Sequence, residues 1–250
     1  MYISLFEYKR ARYRKLGIVC MAVSMMAGMG LHPKVVFAHR EDYIGETLVF
    51  QTLEAGELEP EYWIDIGRRE GEGTFLRHAA AVEHGITNHW MVDGAVTFKS
   101  VAEDNPEFDT GRVETRFRFF DEGEQPLDTA VSLEVNAERE DGGNTDTHLE
   151  PRLILSKDFD KINVTLNIPV EINLDSGSTA WIPAAGVRAD ISSLIQVGSE
   201  LRYDIDTKQG SVIPQIWFLF GHDITLKGGY SIGFDQNPDD FTRVAVEVGF

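Results

Sequence analysis

The feature that most constrains this chain is a run of strict alternation. Ile162, Val164, Leu166, Ile168, Val170 and Ile172 are apolar, while Lys161, Asn163, Thr165, Asn167 and Glu171 stand between them, which is the period of a strand with one greasy face. The same count holds for Val113, Thr115, Phe117 and Phe119 against Arg112, Glu114, Arg116 and Arg118, and for Val131, Leu133 and Val135 against Ser132, Glu134 and Asn136. Strands of soluble sandwiches run to about five or six residues. These are roughly twice as long, the length a bilayer asks of a tilted strand.

Extending the count predicts strands near 58–68, 74–84, 88–100, 111–120, 127–138, 147–157, 161–173, 178–189, 193–205, 211–221, 223–234 and 241–250. That is about 12, an even number, with no competing helical period. The fold expected is all-β: a single transmembrane antiparallel up-and-down β-barrel over 58–250. The connections agree, because long polar segments such as 101–110 and 235–240 fall on one parity and short turns such as 157–160 mostly on the other. Aromatic residues including Tyr62, Trp90, Phe98, Phe120, Trp181, Tyr203, Phe220 and Phe234 cluster near predicted strand ends, as interfacial girdles do.

The first residues belong to a different class of segment. Lys9, Arg10, Arg12, Arg14 and Lys15 precede an uncharged run from Leu16 to Leu31, and Val36-Phe37-Ala38 puts small residues where a signal peptidase wants them. Residues 1–38 therefore read as a secretory signal peptide, cut between Ala38 and His39. The full chain carries 23 basic and 41 acidic residues; losing six bases and one acid leaves 17 and 40, a mature charge of −23. Cys20, the single cysteine, leaves with the signal peptide. The expected product is exported, free of disulfides and cofactors, and too acidic for nucleic acid as a partner.

The last strand carries the most specific pattern. Val244, Val246, Val248 and Phe250 share one face, with Arg243, Ala245, Glu247 and Gly249 on the other. This resembles the closing strand of Gram-negative outer-membrane barrels, which implies an assembly signal read by the β-barrel assembly machinery, and a surround of outer-membrane lipid and lipopolysaccharide. The stretches Thr52-Leu-Glu-Ala-Gly-Glu-Leu-Glu-Pro-Glu-Tyr-Trp63 and Ala81-Val-Glu-His-Gly-Ile-Thr-Asn-His-Trp-Met-Val92 are similar to the opening of the outer-membrane transporters associated with the MetA pathway of phenol degradation. That resemblance implies a mid-sized barrel passing small organic solutes, aromatic or hydrophobic ones among them. It carries over no ligand residue.

Alternation places Arg112, Glu114, Arg116, Arg118, Glu134, Glu138, Glu150, Arg152, Arg188, Glu200, Arg202, Arg243 and Glu247 on the inward phase of their strands. Charges there must meet water or one another, because hydrocarbon does not tolerate them. Two readings stay open: a hydrated path that selects small-molecule solutes, which makes the protein a passive channel, or a packed ionic network in a structural or adhesion barrel. An enzyme is the weakest reading. None of the mature histidines (His39, His78, His84, His89, His148 and His222) sits in a Gly-x-Ser-x-Gly context, and their spacing supports no metal site. Residues 39–57 form an arm before the barrel, periplasmic or folded into the lumen.

Overall fold

The computed structural model describes residues 42–45, 47–69, 73–101, 105–139, 144–221, 223–234 and 240–250. The expected signal peptide and its Ala38/His39 junction lie outside them. The strands are β1 (Leu58–Arg69), β2 (Gly73–Thr87), β3 (Trp90–Val101), β4 (Glu107–Arg118), β5 (Asp128–Arg139), β6 (Thr145–Phe159), β7 (Ile162–Asn173), β8 (Thr179–Trp181), β9 (Ala184–Ser192), β10 (Ile195–Asp204), β11 (Gln209–Phe220), β12 (Ile224–Phe234) and β13 (Asp240–Val248). Each long strand pairs antiparallel with its neighbours in sequence, β1 pairs with β13, and β6–β7 completes the ring. The protein is thus a closed antiparallel barrel of 12 strands with one short extra strand.

That extra strand is a piece of the predicted segment 178–189. β7 pairs β9 from Ile162↔Ala189 to Asn167↔Ala184 and β8 from Val170↔Trp181 to Ile172↔Thr179, so one register runs through both. In between, Pro169 and Pro183 stand at neighbouring rungs without N–H donors, and the ladder is interrupted there.

The register also sets the bore. Ile172 faces in turn Leu149, Val135, Val113, Gly94, Val82 and Pro60. Continuing through the pairings of β13, β12, β11, β10 and β9 returns to β7 about fourteen residues earlier. With strands roughly 4.8 Å apart and about 3.3 Å per residue, this stagger tilts the strands by roughly 40° and gives a backbone radius of about 12 Å. Eight-stranded barrels are filled by their own side chains. This one is too wide for that.

Outside, Ile66, Val113, Phe117, Leu133, Val135, Ile162, Val164, Leu166, Val187, Leu201, Ile232 and Val244 are exposed, an apolar belt of a kind that soluble monomers rarely show. Rings flank it at both ends: exposed Trp90, Phe117, Phe119, Phe120 and Phe220 near the end where Leu58 and Phe250 exchange backbone hydrogen bonds, and Phe98, Phe108, Trp181 and Phe234 near the other. Tyr62 stands apart from these girdles. Its hydroxyl meets His78 Nδ1 at 2.8 Å, so two polar groups of the outer wall satisfy each other.

Candidate lumen site and the N-terminal arm

The lumen holds a piece of the chain itself. From the rim, where Gly56 N–H donates to Gly85 carbonyl at 2.8 Å and Ala55 N–H to Asn88 Oδ1 at 3.0 Å, residues 53 to 47 run inward to a turn closed by Tyr43 N–H on the Thr47 carbonyl at 3.1 Å. Ile44, Leu48, Val49, Phe50 and Leu53 are all 3% exposed or less. Their side chains alternate between walls: Leu48 and Phe50 pack on Ala130 and Ile154, while Val49 and Tyr43 pack on Trp217. Burying each such side chain contributes about 1.5–3 kcal/mol. Gly186 supplies the seat for Tyr43, since a Cβ there would come within 2.4 Å of the ring.

Wall side chains read the arm through its backbone. Asn167 behaves like a strand edge, accepting Leu48 N–H at 2.8 Å on Oδ1 and donating from Nδ2 to the Leu48 carbonyl at 2.9 Å. Gln215 accepts Ile44 N–H at 2.8 Å, and Glu200 accepts Gly45 N–H at 2.9 Å. Arginines take the carbonyls. Arg202 donates to Gly45 at 2.6 Å, Arg243 to Ile44 at 2.7 Å, and Arg116 to Val49 and Gln51 at 3.2 and 3.3 Å.

Of the residues expected on the inner face, Glu114, Arg116, Glu134, Glu150, Arg152, Arg188, Glu200, Arg243 and Glu247 are buried, Arg112, Arg118 and Arg202 are half-buried, and Glu138 is exposed. Several are brought together. Arg243 holds Asp65 through Nε–Oδ1 at 2.6 Å and Nη2–Oδ2 at 2.8 Å, with its guanidinium 5.1 Å from the Trp63 ring. Arg112 meets Asp93 at 3.2 Å, Arg152 meets Glu150, and Lys227 bridges Glu61 and Glu247. Arg188 covers both Trp217, at 4.2 Å, and Tyr43, at 4.8 Å. Arg118 lies apart at the rim, donating to the Asn88 carbonyl at 2.7 Å. On β13, Val244 faces outward, and beyond the strand Phe250 exchanges backbone hydrogen bonds with Leu58.

Asp65, Asp93, Glu61 and Lys227 were missed by the sequence count, together with the amides Asn167 and Gln215. For Asp93 and Lys227 the signal was present, since each alternates with an outward apolar neighbour, Val92 and Leu226. Trp63 and Trp217 hid the rest by turning large apolar rings inward, Trp63 against Ala79, Ala81 and Ala245.

Arg116 clasps the start of the described arm, with Nη2–Oδ2 of Asp42 at 2.6 Å and Nη1–Oδ1 at 3.1 Å, while Asp42 Oδ1 also accepts Val49 N–H at 2.6 Å. Burial pushes the Asp42 carboxyl up, but the Arg116 charge and these hydrogen bonds outweigh it and hold it below the ordinary carboxylate range. A carboxyl depressed in the folded state stabilises above its unfolded value and loses that contribution as pH falls through the folded one. Amide-exchange protection across 43–51 should therefore be the same at pH 7 and pH 5 and drop only below the ordinary aspartate range. A drop already at pH 5–6 would show that the clasp does not govern the arm.

Beyond the arm's turn lies a cavity of about 220 Å3, lined by Asp109, Glu134, Glu138, Glu150 and Glu171 against Arg77, Arg112, Arg152, Arg202 and Arg243, with Trp63, Thr97, Thr110 and Asn136 among the neutral groups. Five carboxylates face five guanidiniums. Arg202 and Arg243, which hold the turn, also belong to this lining, so these two side chains link the turn to the cavity. A second space of about 30 Å3, roughly a water's share of volume, lies past Trp63 between the arm and the wall of Glu61, Glu83, Lys227 and Glu247. Among the described residues no group of three His, Cys, Asp or Glu is placed to hold a metal ion.

No protein-family model matches the chain, and no curated protein matches it in sequence. Solved structures do match in fold. The COG4313 outer membrane channel from Pseudomonas putida F1 superposes with a TM-score of 0.60 at 10% identity, over 84% of this chain and 100% of that one. The KdgM porin gives 0.59 at 10% identity over 77% and 99%, and the NanC porin 0.56 at 14% over 75% and 98%. At such identities the likeness is one of architecture: a closed antiparallel β-barrel.

Proposed function

We propose that the protein is an outer-membrane channel for small polar solutes, with the arm as the narrowing element of its lumen. The observation that carries this reading is the charged cavity of about 220 Å3 above the arm's turn, in a barrel whose circumference exceeds what side chains need for packing. A barrel built only as a scaffold gains nothing from ten ionisable groups around open space, whereas a solute path needs them to replace hydration. The lining favours polar solutes over the hydrophobic ones that the sequence resemblance implies. The fold-level likeness to proteins called porins and a channel supports a channel role, and the likeness of 52–63 and 81–92 to the MetA-associated transporters is in keeping with transport. Export with cleavage before His39, recognition of Val244, Val246, Val248 and Phe250 by the assembly machinery, and contact with lipopolysaccharide belong to the same proposal.

The second reading, a closed structural barrel, is favoured by the arm's many bonds. Liposome swelling separates the two: solutes of monosaccharide size and below are expected to enter proteoliposomes and a trisaccharide to be excluded, since a cavity of this size admits about one sugar ring. If even glycerol enters no faster than into empty liposomes, while the protein migrates as a folded barrel in unheated SDS, the channel reading is lost.

A further inference from the structure

Four of the five cavity arginines spend their charge on carboxylates: Arg77 on Asp109 and Asp65, Arg112 on Asp93, Arg152 on Glu150 and Arg243 on Asp65. Arg202 differs. Its recorded contact among the described residues is a single N–H on the Gly45 carbonyl at 2.6 Å, with no carboxylate partner. A guanidinium presents five N–H donors in a planar fork suited to a carboxylate. Arg202 therefore faces the cavity with unspent charge and donors. Of the cavity's acids, Asp109 meets Arg77, Glu150 meets Arg152 and Glu134 accepts the Asn136 amide at 3.0 Å.

We propose that Arg202 is the capture point for a small carboxylate-bearing solute and that capture releases the arm's turn. A carboxylate outcompetes a neutral carbonyl for a guanidinium, because charge-assisted bonds are about twice as strong as neutral ones. A solute binding bidentately to Arg202 thus draws it from Gly45. Gly45 then retains only its N–H on Glu200, and Ile44 its contacts with Gln215 and Arg243. The solute weakens the hold on the arm from the chamber it has entered. This names the solute class and the gating of the proposed channel and rests on that reading.

Glucuronate and glucose have nearly the same size and differ by a carboxylate, so they serve as probes on the folded barrel with its arm intact. Calorimetry should show glucuronate binding and glucose at least tenfold weaker. Arg202→Gln should weaken glucuronate by about 10–100-fold and leave glucose unchanged, Arg202→Lys should keep most of the preference, and Arg118→Gln, at the rim, should change neither. Amide exchange over 43–51 should rise with saturating glucuronate and stay constant with glucose. Equal affinity for both sugars, or an R202Q barrel that still prefers glucuronate, overturns the capture site. Binding without faster arm exchange overturns the release. Calorimetry needs no conduction, so a barrel that binds glucuronate yet fails the swelling assay loses the channel reading and keeps the site.

Discussion

Removing residues 42–53 should raise single-channel conductance by roughly an order of magnitude while leaving a barrel that still shifts in mobility on boiling. The lumen's free width, after side chains line a backbone radius of about 12 Å, is little more than the two chain passes of the arm occupy. Deletion leaves Glu200, Gln215, Asn167 and Arg116 facing water, which polar lumen groups tolerate. It also uncovers Ala130, Ile154 and Trp217, which lose their partners Leu48, Phe50, Val49 and Tyr43. Lower stability is therefore expected alongside higher conductance. Should the deletion fail to assemble, Asn167→Leu is the milder probe: it keeps the side-chain volume, removes both bonds to Leu48 and should lengthen open time without widening the bore. An arm-deleted barrel, folded by its heat-dependent mobility, that conducts no better than the intact protein would show that the arm is not the constriction.

Much of this architecture was legible because a membrane strand obeys a simple rule on both faces. In β4, β7 and β13 the outward residues are mostly apolar and the inward ones mostly polar, with Thr115, Pro169, Thr242 and Ala245 among the exceptions, so period two places most side chains. The rule weakens in β1 and β11, where Trp63 and Trp217 point inward and are buried. Their reason lies in the lumen, where one ring backs Arg243 and the other receives Tyr43 and Arg188. The arm's place had its own trace in the wall. Gly186 and Gly229 are strand glycines where a Cβ would strike Tyr43 and Ile44, and a glycine inside a strand marks close approach of another group. Charge partners were not readable. Alternation gives the face of Arg116 but not its partner, and Asp42 reaches it from 74 residues away through a turn whose depth only the packed lumen fixes.

Replacing Asp65 by leucine should destabilise the barrel by about 3–5 kcal/mol, because it leaves buried guanidinium charge without its carboxylate. Asp65 is 0% exposed and receives both Arg243 contacts, with Arg77 Nη1 3.5 Å away. Arg243 cannot turn to water, since it is buried, packed over Trp63 and bonded to the Ile44 carbonyl. Replacing Arg243 by methionine should cost less, because Asp65 keeps Arg77. The double variant Asp65→Leu/Arg243→Met decides between two accounts of the pair. If its value is the avoidance of an uncompensated charge, the double variant is more stable than Asp65→Leu alone, and the coupling between the sites is about 1–3 kcal/mol in urea unfolding from lipid. If its value is a net gain over an apolar contact, the double variant is the least stable of the three. The first outcome is expected: desolvating two charges offsets most of their attraction, and Trp63, Ala79, Ala81 and Ala245 already offer leucine and methionine an apolar surround. In that case the ion pair is kept for what Arg243 does with its remaining donor. The double variant, more stable than Asp65→Leu alone, should then lose protection at Ile44 and Gly45 in amide exchange, separating the hold on the arm from the stability of the wall.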